Sequence, residues 1–131
     1  MSQLTLKELS AEAYRISVSK GWHEKPKTFA EYTALFHSEI SEAFEEFRAG
    51  HRPQEIYFEN DVFGHRPEAL KAAETLAGQG NKPEGIGIEL ADELIRIFDY
   101  AGAEELDLDA LVRIKAAYNE TRARRHGGKV I

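Results

Sequence analysis

Apolar residues recur every three or four positions along most of this chain, and in one stretch no period holds. The clearest stripe is Phe29, Tyr32, Phe36, Ile40, Ala43 and Phe47, a spacing that lines side chains along one face of a helix. Thr28-x-x-Glu31 has capping-box form at its start, and Gly50, with Pro53 beyond, ends it. An earlier helix opens on a second capping box, Thr5-x-x-Glu8, and runs to about Ser19 with Gly21 as its stop. Helical character returns from Ile86 to about Ala101. There Leu90, Ala91, Leu94, Ile95, Ile97, Phe98 and Ala101 form a broad apolar arc, and Glu89, Asp92, Arg96 and Asp99 share the remaining strip. An arc that wide predicts contact with more than one neighbour. A last helix, capped by Asp107, is predicted from Leu108 to about Arg125, before Gly127-Gly128.

Between the second and third long helices the pattern breaks down. Glu55 to Phe58 reads as a short extended piece, and Pro67 to Ala77 as a short helix with proline in its first turn. Gly78, Gly80 and Pro83 punctuate a loop. This segment is where a lid or an insertion is expected. The predicted fold class is all-α: a single domain over residues 1–131, with four main helices in a bundle and some apolar surface used in self-association.

Composition works mainly by exclusion. There are no cysteines, which removes disulfides, thiolate zinc sites and cysteine nucleophiles. No apolar run is long enough to span a membrane, and the first residues lack a secretory pattern, so a cytoplasmic location is expected. A formal charge of −6 argues against a nucleic-acid polymer as partner.

Charge placement carries more information. Glu39-x-x-Glu42 and Glu89-x-x-Asp92 each set two carboxylates side by side on one helix face. Such pairs repel, and a divalent cation reverses the sign of that interaction. Solvated helix faces commonly carry acids, so one pair alone says little. Here Glu39 and Glu42 border the apolar stripe, and Glu89 and Asp92 lie within a strongly apolar segment, where carboxylates are costly unless paired or coordinated. Glu45 and Glu46, in contrast, can compensate Arg48 in solvent. No histidine follows a glutamate by three positions, which excludes the di-iron bundle pattern. An all-carboxylate set points to a hard cation, Mg²⁺ or alternatively Mn²⁺, and hence to phosphate chemistry.

The last helix offers a cationic strip. Lys115, Asn119 and Arg122 follow an i, i+4, i+7 line that continues the side carrying Leu108, Leu111 and Val112. Arginine can grip phosphate oxygens bidentately and lysine adds a point charge. Basic residues near a helix C-terminus also gain from the macrodipole, which accounts for some of them without function. Trp22 reads as a core plug in preference to a base-stacking platform, and His37 precedes the acidic face, where it can assist.

The blocks HSEISEAFEEFR, KPEGIGIELADELIRIFDYA and KAAYNETRARRHGGK, in that order, resemble the MazG-like nucleotide pyrophosphohydrolases. These are all-α enzymes whose superfamily includes dimeric dUTPases and phosphoribosyl-ATP pyrophosphatases. The resemblance implies Mg²⁺-dependent hydrolysis of a nucleoside triphosphate between its α and β phosphates, giving a monophosphate and pyrophosphate. It implies Glu39, Glu42, Glu89 and Asp92 as metal ligands and catalytic groups. Lys115, Tyr118, Asn119, Arg122 and Lys129 are implied as substrate contacts. A homodimer or homotetramer is implied as the assembly, with nucleotide-pool housekeeping as the role. The long 51–85 segment departs from the compact hairpin of simple members, which bears on substrate choice. One carboxylate of the Glu42–Glu46 stretch is expected to accept a proton from water. Two alternatives stand beside this reading: a non-catalytic helical interaction module, and phosphoribosyl-ATP hydrolysis.

Overall fold

The computed structural model describes residues 3–123. These form five helices and one small ribbon: α1 (Leu6–Ser19), α2 (Phe29–Arg48), β1 (Ile56–Tyr57), β2 (Val62–Phe63), α3 (Pro67–Gly78), α4 (Ile86–Ala103) and α5 (Leu108–Thr121). The mostly helical class expected from periodicity is what forms. Two compact units divide the chain, one from residues 3–22 and 98–123, the other from residues 23–97.

In the first unit α1 starts as its sequence dictates. Thr5 Oγ1 accepts from the Glu8 amide at 3.1 Å, and Glu8 Oε1 accepts from the Thr5 amide at 3.0 Å. Asp109, in the first turn of α5, accepts from the amides of Leu6 and Lys7 at 3.1 and 3.0 Å. A negative side chain there satisfies orphan donors and complements the helix dipole. Gly21, at φ 79°, ends α1 in the left-handed conformation, and the Trp22 amide reaches back to the Ser17 carbonyl. Small residues then bring α1 against the end of α4. Ser10, Ser17 and Ala101 are each 1% exposed. Ser17 donates to Asp99 at 3.1 Å, and a Cβ built on Gly102 would meet the Ser10 carbonyl oxygen at 2.4 Å. α5 stops at Thr121, short of the expected Arg125, and Arg122 is already extended. Trp22 is 53% exposed, so it is not a core plug.

The second unit has its core in the segment without period. Ile56, Phe58 and Ala73 are buried, with Phe63, Leu76, Ala77 and Ile88 packed around them. β1 pairs antiparallel with β2, Ile56 opposite Phe63 and Tyr57 opposite Val62, and Phe58 meets Phe63 edge to face at 5.9 Å. Tyr57 and Glu84 exchange both backbone hydrogen bonds at 2.9 Å, which ties the ribbon to the start of α4. Gly85, at φ 138°, packs against the Glu55 carbonyl so closely that a Cβ would lie 2.4 Å from its oxygen. Residues 51–85, expected as a lid or insertion, thus supply the packed centre of this unit. Among the described residues no helix is long and apolar enough to cross a membrane.

Candidate metal centre

Helix α2 buries only part of its apolar stripe, together with one carboxylate. Tyr32, Glu39 and Ala43 are its buried positions, while Ile40, Phe44 and Phe47 are 49%, 57% and 64% exposed. Helix α4 shows the same mixture over residues 86–97. Glu89, Asp92, Glu93 and Arg96 are half-buried, and Leu90, Leu94 and Ile95 are exposed. The acidic edges of the two helices turn inward in this unit beside only part of their apolar faces.

The structure brings together Glu39, Glu89 and Asp92. Each offers a carboxylate oxygen within 4.8 Å of the other two. Glu39 is 2% exposed. Its Oε1 accepts from Arg96 Nε at 2.5 Å, whereas Oε2 is buried with no hydrogen-bond partner. A buried carboxylate oxygen left unpaired costs free energy, and a cation supplies the missing partner. Glu42 is more exposed. It lies outside the close trio but borders the same cavity of about 490 Å³, with Lys82, Ile95 and Arg96 also on its wall. A neighbouring cavity of about 320 Å³ is lined by Glu42, Glu45, Glu46, Lys82 and Glu89.

The electrostatics follow from crowding like charges in partial burial. Burial, then the hydrogen bond and charge of Glu42, push the Glu89 carboxyl up to about 7. Asp92 is raised by burial and then by the charge of Glu39, with Arg96 partly offsetting. For Glu39, burial pushes upward, but the hydrogen bond and charge of Arg96 hold it below the usual range. At neutral pH a cation-free cluster therefore shares protons among its acids, and a divalent cation can take their place.

Two residues of this centre escaped the sequence-based set. Arg96 was visible as part of the polar strip, and its i, i+4 spacing from Asp92 was a usable signal. Glu93 gave no such signal, because it falls between the metal-type pair and the apolar arc. Its Oε2 is buried without a hydrogen-bond partner beside a small cavity of about 160 Å³ lined by Thr33, Phe36, His37 and Ile40. Burial, then Glu39, raise its carboxyl, while His37 and Arg96 pull the other way. Glu45 and Arg48 form the expected exposed pair at 3.0 Å. Glu46 does not join them, and instead accepts from the Tyr57 hydroxyl at 2.7 and 2.9 Å.

The cationic strip belongs to the other compact unit. Lys115 Nζ and the Arg122 guanidinium lie 5.1 and 5.8 Å from the ring centroid of Tyr118, which is 56% exposed. Asn119 is exposed beside them. Of the side of α5 they were expected to continue, Leu111 and Val112 are exposed and only Leu108 is half-buried. Lys129 lies outside the described residues. Comparison with family models, curated proteins and solved structures gives no match.

Proposed function

We propose that this chain is a Mg²⁺-dependent nucleoside triphosphate pyrophosphohydrolase that releases a nucleoside monophosphate and pyrophosphate. The observation that carries the reading is the Glu39–Glu89–Asp92 cluster with its unpartnered buried Glu39 oxygen. An all-oxygen donor set on two rigid helices suits a hard cation, and the adjoining cavity of about 490 Å³ leaves room for a phosphate chain. The sequence resemblance supplies the reaction that such a centre would serve.

Glu39, Glu89 and Asp92 would hold the cation, with Glu42 completing the set from the cavity edge. When bound, Mg²⁺ would polarise phosphoryl oxygens and neutralise charge that develops on the leaving group. The chain's own groups do the positioning. Arg96 locks Glu39 in one orientation through its Nε. Glu42, exposed and lining the same cavities as Glu89, is placed to accept a proton from a water there. The exposed apolar faces of α2 and α4, including Ile40, Phe44, Phe47 and Leu94, support assembly as a homodimer or homotetramer.

The test is turnover by the purified full chain with Mg²⁺ against ribo-, deoxy- and modified nucleoside triphosphates and phosphoribosyl-ATP, read as pyrophosphate. Wild-type protein should release pyrophosphate from at least one triphosphate, and Asp92→Asn should lose at least about a hundredfold in rate, or roughly 2.7 kcal/mol. Full activity in Asp92→Asn refutes the assignment. Turnover of phosphoribosyl-ATP alone moves the chain to that alternative reaction, and no turnover with any of them favours the interaction module.

A further inference from the structure

The cavity beside the carboxylates contains one cation that the fold holds in place. Lys82 also borders it, but its side chain is 82% exposed and its Nζ stands 3.7 Å from Glu84. Arg96 differs. Its side chain is 32% exposed, it lines the cavity wall, and Nε is anchored to a Glu39 side chain that is 3% exposed. That bond is the only hydrogen bond Arg96 makes among the described residues. A guanidinium carries five N–H donors in a fixed plane, so four remain on Nη1 and Nη2.

We propose that Arg96 is a phosphate-binding residue of this site, with Nε fixing Glu39 and the two Nη groups gripping oxygens of the substrate's phosphate chain. The inference rests on the metal and nucleotide reading, because without a cation the surrounding carboxylates repel any phosphate. Its physical basis is the fork. Anchoring Nε removes most of the side chain's rotational freedom, so the remaining donors are presented at little further entropic cost, and phosphate oxygens match their spacing bidentately. The same anchor occupies Glu39 Oε1 and leaves Oε2 as a single donor. One guanidinium thereby couples the orientation of a metal ligand to the presence of substrate. It also places a phosphate contact within the same compact unit as the carboxylates, independent of Lys115 and Arg122.

The experiment uses the full chain with Mn²⁺ as the metal probe, followed by electron paramagnetic resonance. The Mn²⁺–tripolyphosphate complex is the phosphate probe, followed by calorimetry. Tripolyphosphate carries no base or sugar, so it reports phosphate contacts alone. Arg96→Gln should weaken Mn²⁺ binding modestly, through loss of the Glu39 anchor, and should weaken binding of the complex by at least about tenfold more than that. Arg96→Lys keeps a positive charge near Glu39 but has no fork. It should show the same split, and it decides the matter if Arg96→Gln does not fold. Wild-type affinity for the complex in either folded variant overturns the proposal. So does a parallel loss of Mn²⁺ and complex, which is what a merely structural role would give. Wild-type protein that fails to bind Mn²⁺ overturns the metal reading itself. Wild-type Mn²⁺ binding with unaffected variants overturns only the role of Arg96.

Discussion

Replacing Glu89 with glutamine should flatten the pH dependence of stability in the metal-free protein. The Glu89 carboxyl is raised from the usual value near 4.5 to about 7, first by burial and then by Glu42. The folded state therefore binds this proton more tightly than the unfolded chain. Its stabilising contribution is complete below about pH 4.5 and is lost as pH rises through about 7. A shift of that size corresponds to roughly 3 kcal/mol if fully transmitted. The cavity is open to water, and screening reduces the expected effect to about 1–2 kcal/mol. For a chain of 131 residues that is on the order of 5 °C in midpoint. The assay is thermal and urea denaturation followed by circular dichroism, in chelator, at steps between about pH 5 and pH 8. Asp92 and Glu93 are raised too and are present in both proteins, so the difference between wild type and Glu89→Gln reports Glu89 together with its coupling to Glu42, Glu39 and Asp92. Wild type should lose about 1–2 kcal/mol more than the variant across that range, and saturating Mg²⁺ should restore it. Parallel pH curves for the two proteins would refute the electrostatic reasoning.

Two further perturbations probe what holds the site in place. Gly102→Ala should destabilise the protein by about 2–4 kcal/mol, because the added carbon meets the Ser10 carbonyl at 2.4 Å, and backbone cannot step aside cheaply; an unchanged urea midpoint would contradict the close crossing. Tyr57→Phe removes the hydroxyl that donates to Glu46 and should cost about 1.5–3 kcal/mol by chemical denaturation. In the wild type, burial and then Glu46 push the Tyr57 phenol above its usual range, so an ordinary phenolate transition by ultraviolet titration would contradict the contact.

Much of the local structure could be read from the letters, because capping and periodicity are local. Both threonine caps form as expected, although only Thr5–Glu8 closes reciprocally. Glu39, Glu89 and Asp92 converge as their spacing and apolar surroundings suggested. What failed was the sense of inside and outside. The stripe through Ile40 and Phe47 looked like core because hydrophobic spacing reports which residues share a face, not what that face meets. The burial of Glu39 beside exposed Ile40 is a tertiary outcome that no helical wheel contains. Within residues 51–85 the short extended piece and the helix opening at Pro67 were legible and form as β1 and α3, but their packing was not. Their core is assembled by Ile56 and Phe58 from one piece of chain and Ala73 from another.

Gly85 gives that segment a consequence for how the site tolerates change. The Glu89 amide bonds to the Gly85 carbonyl at 3.0 Å, so the first turn of α4 starts from a residue clamped against Glu55. That clamp sets the rotational phase of α4. Length changes upstream of the Tyr57–Glu84 pairing can be absorbed while the phase persists. A single residue added or removed between Gly85 and Glu89 would turn everything beyond it by about 100°, carrying Asp92 and Arg96 away from Glu39 together. The irregular segment thus works as an indexing stop for the helix that follows it.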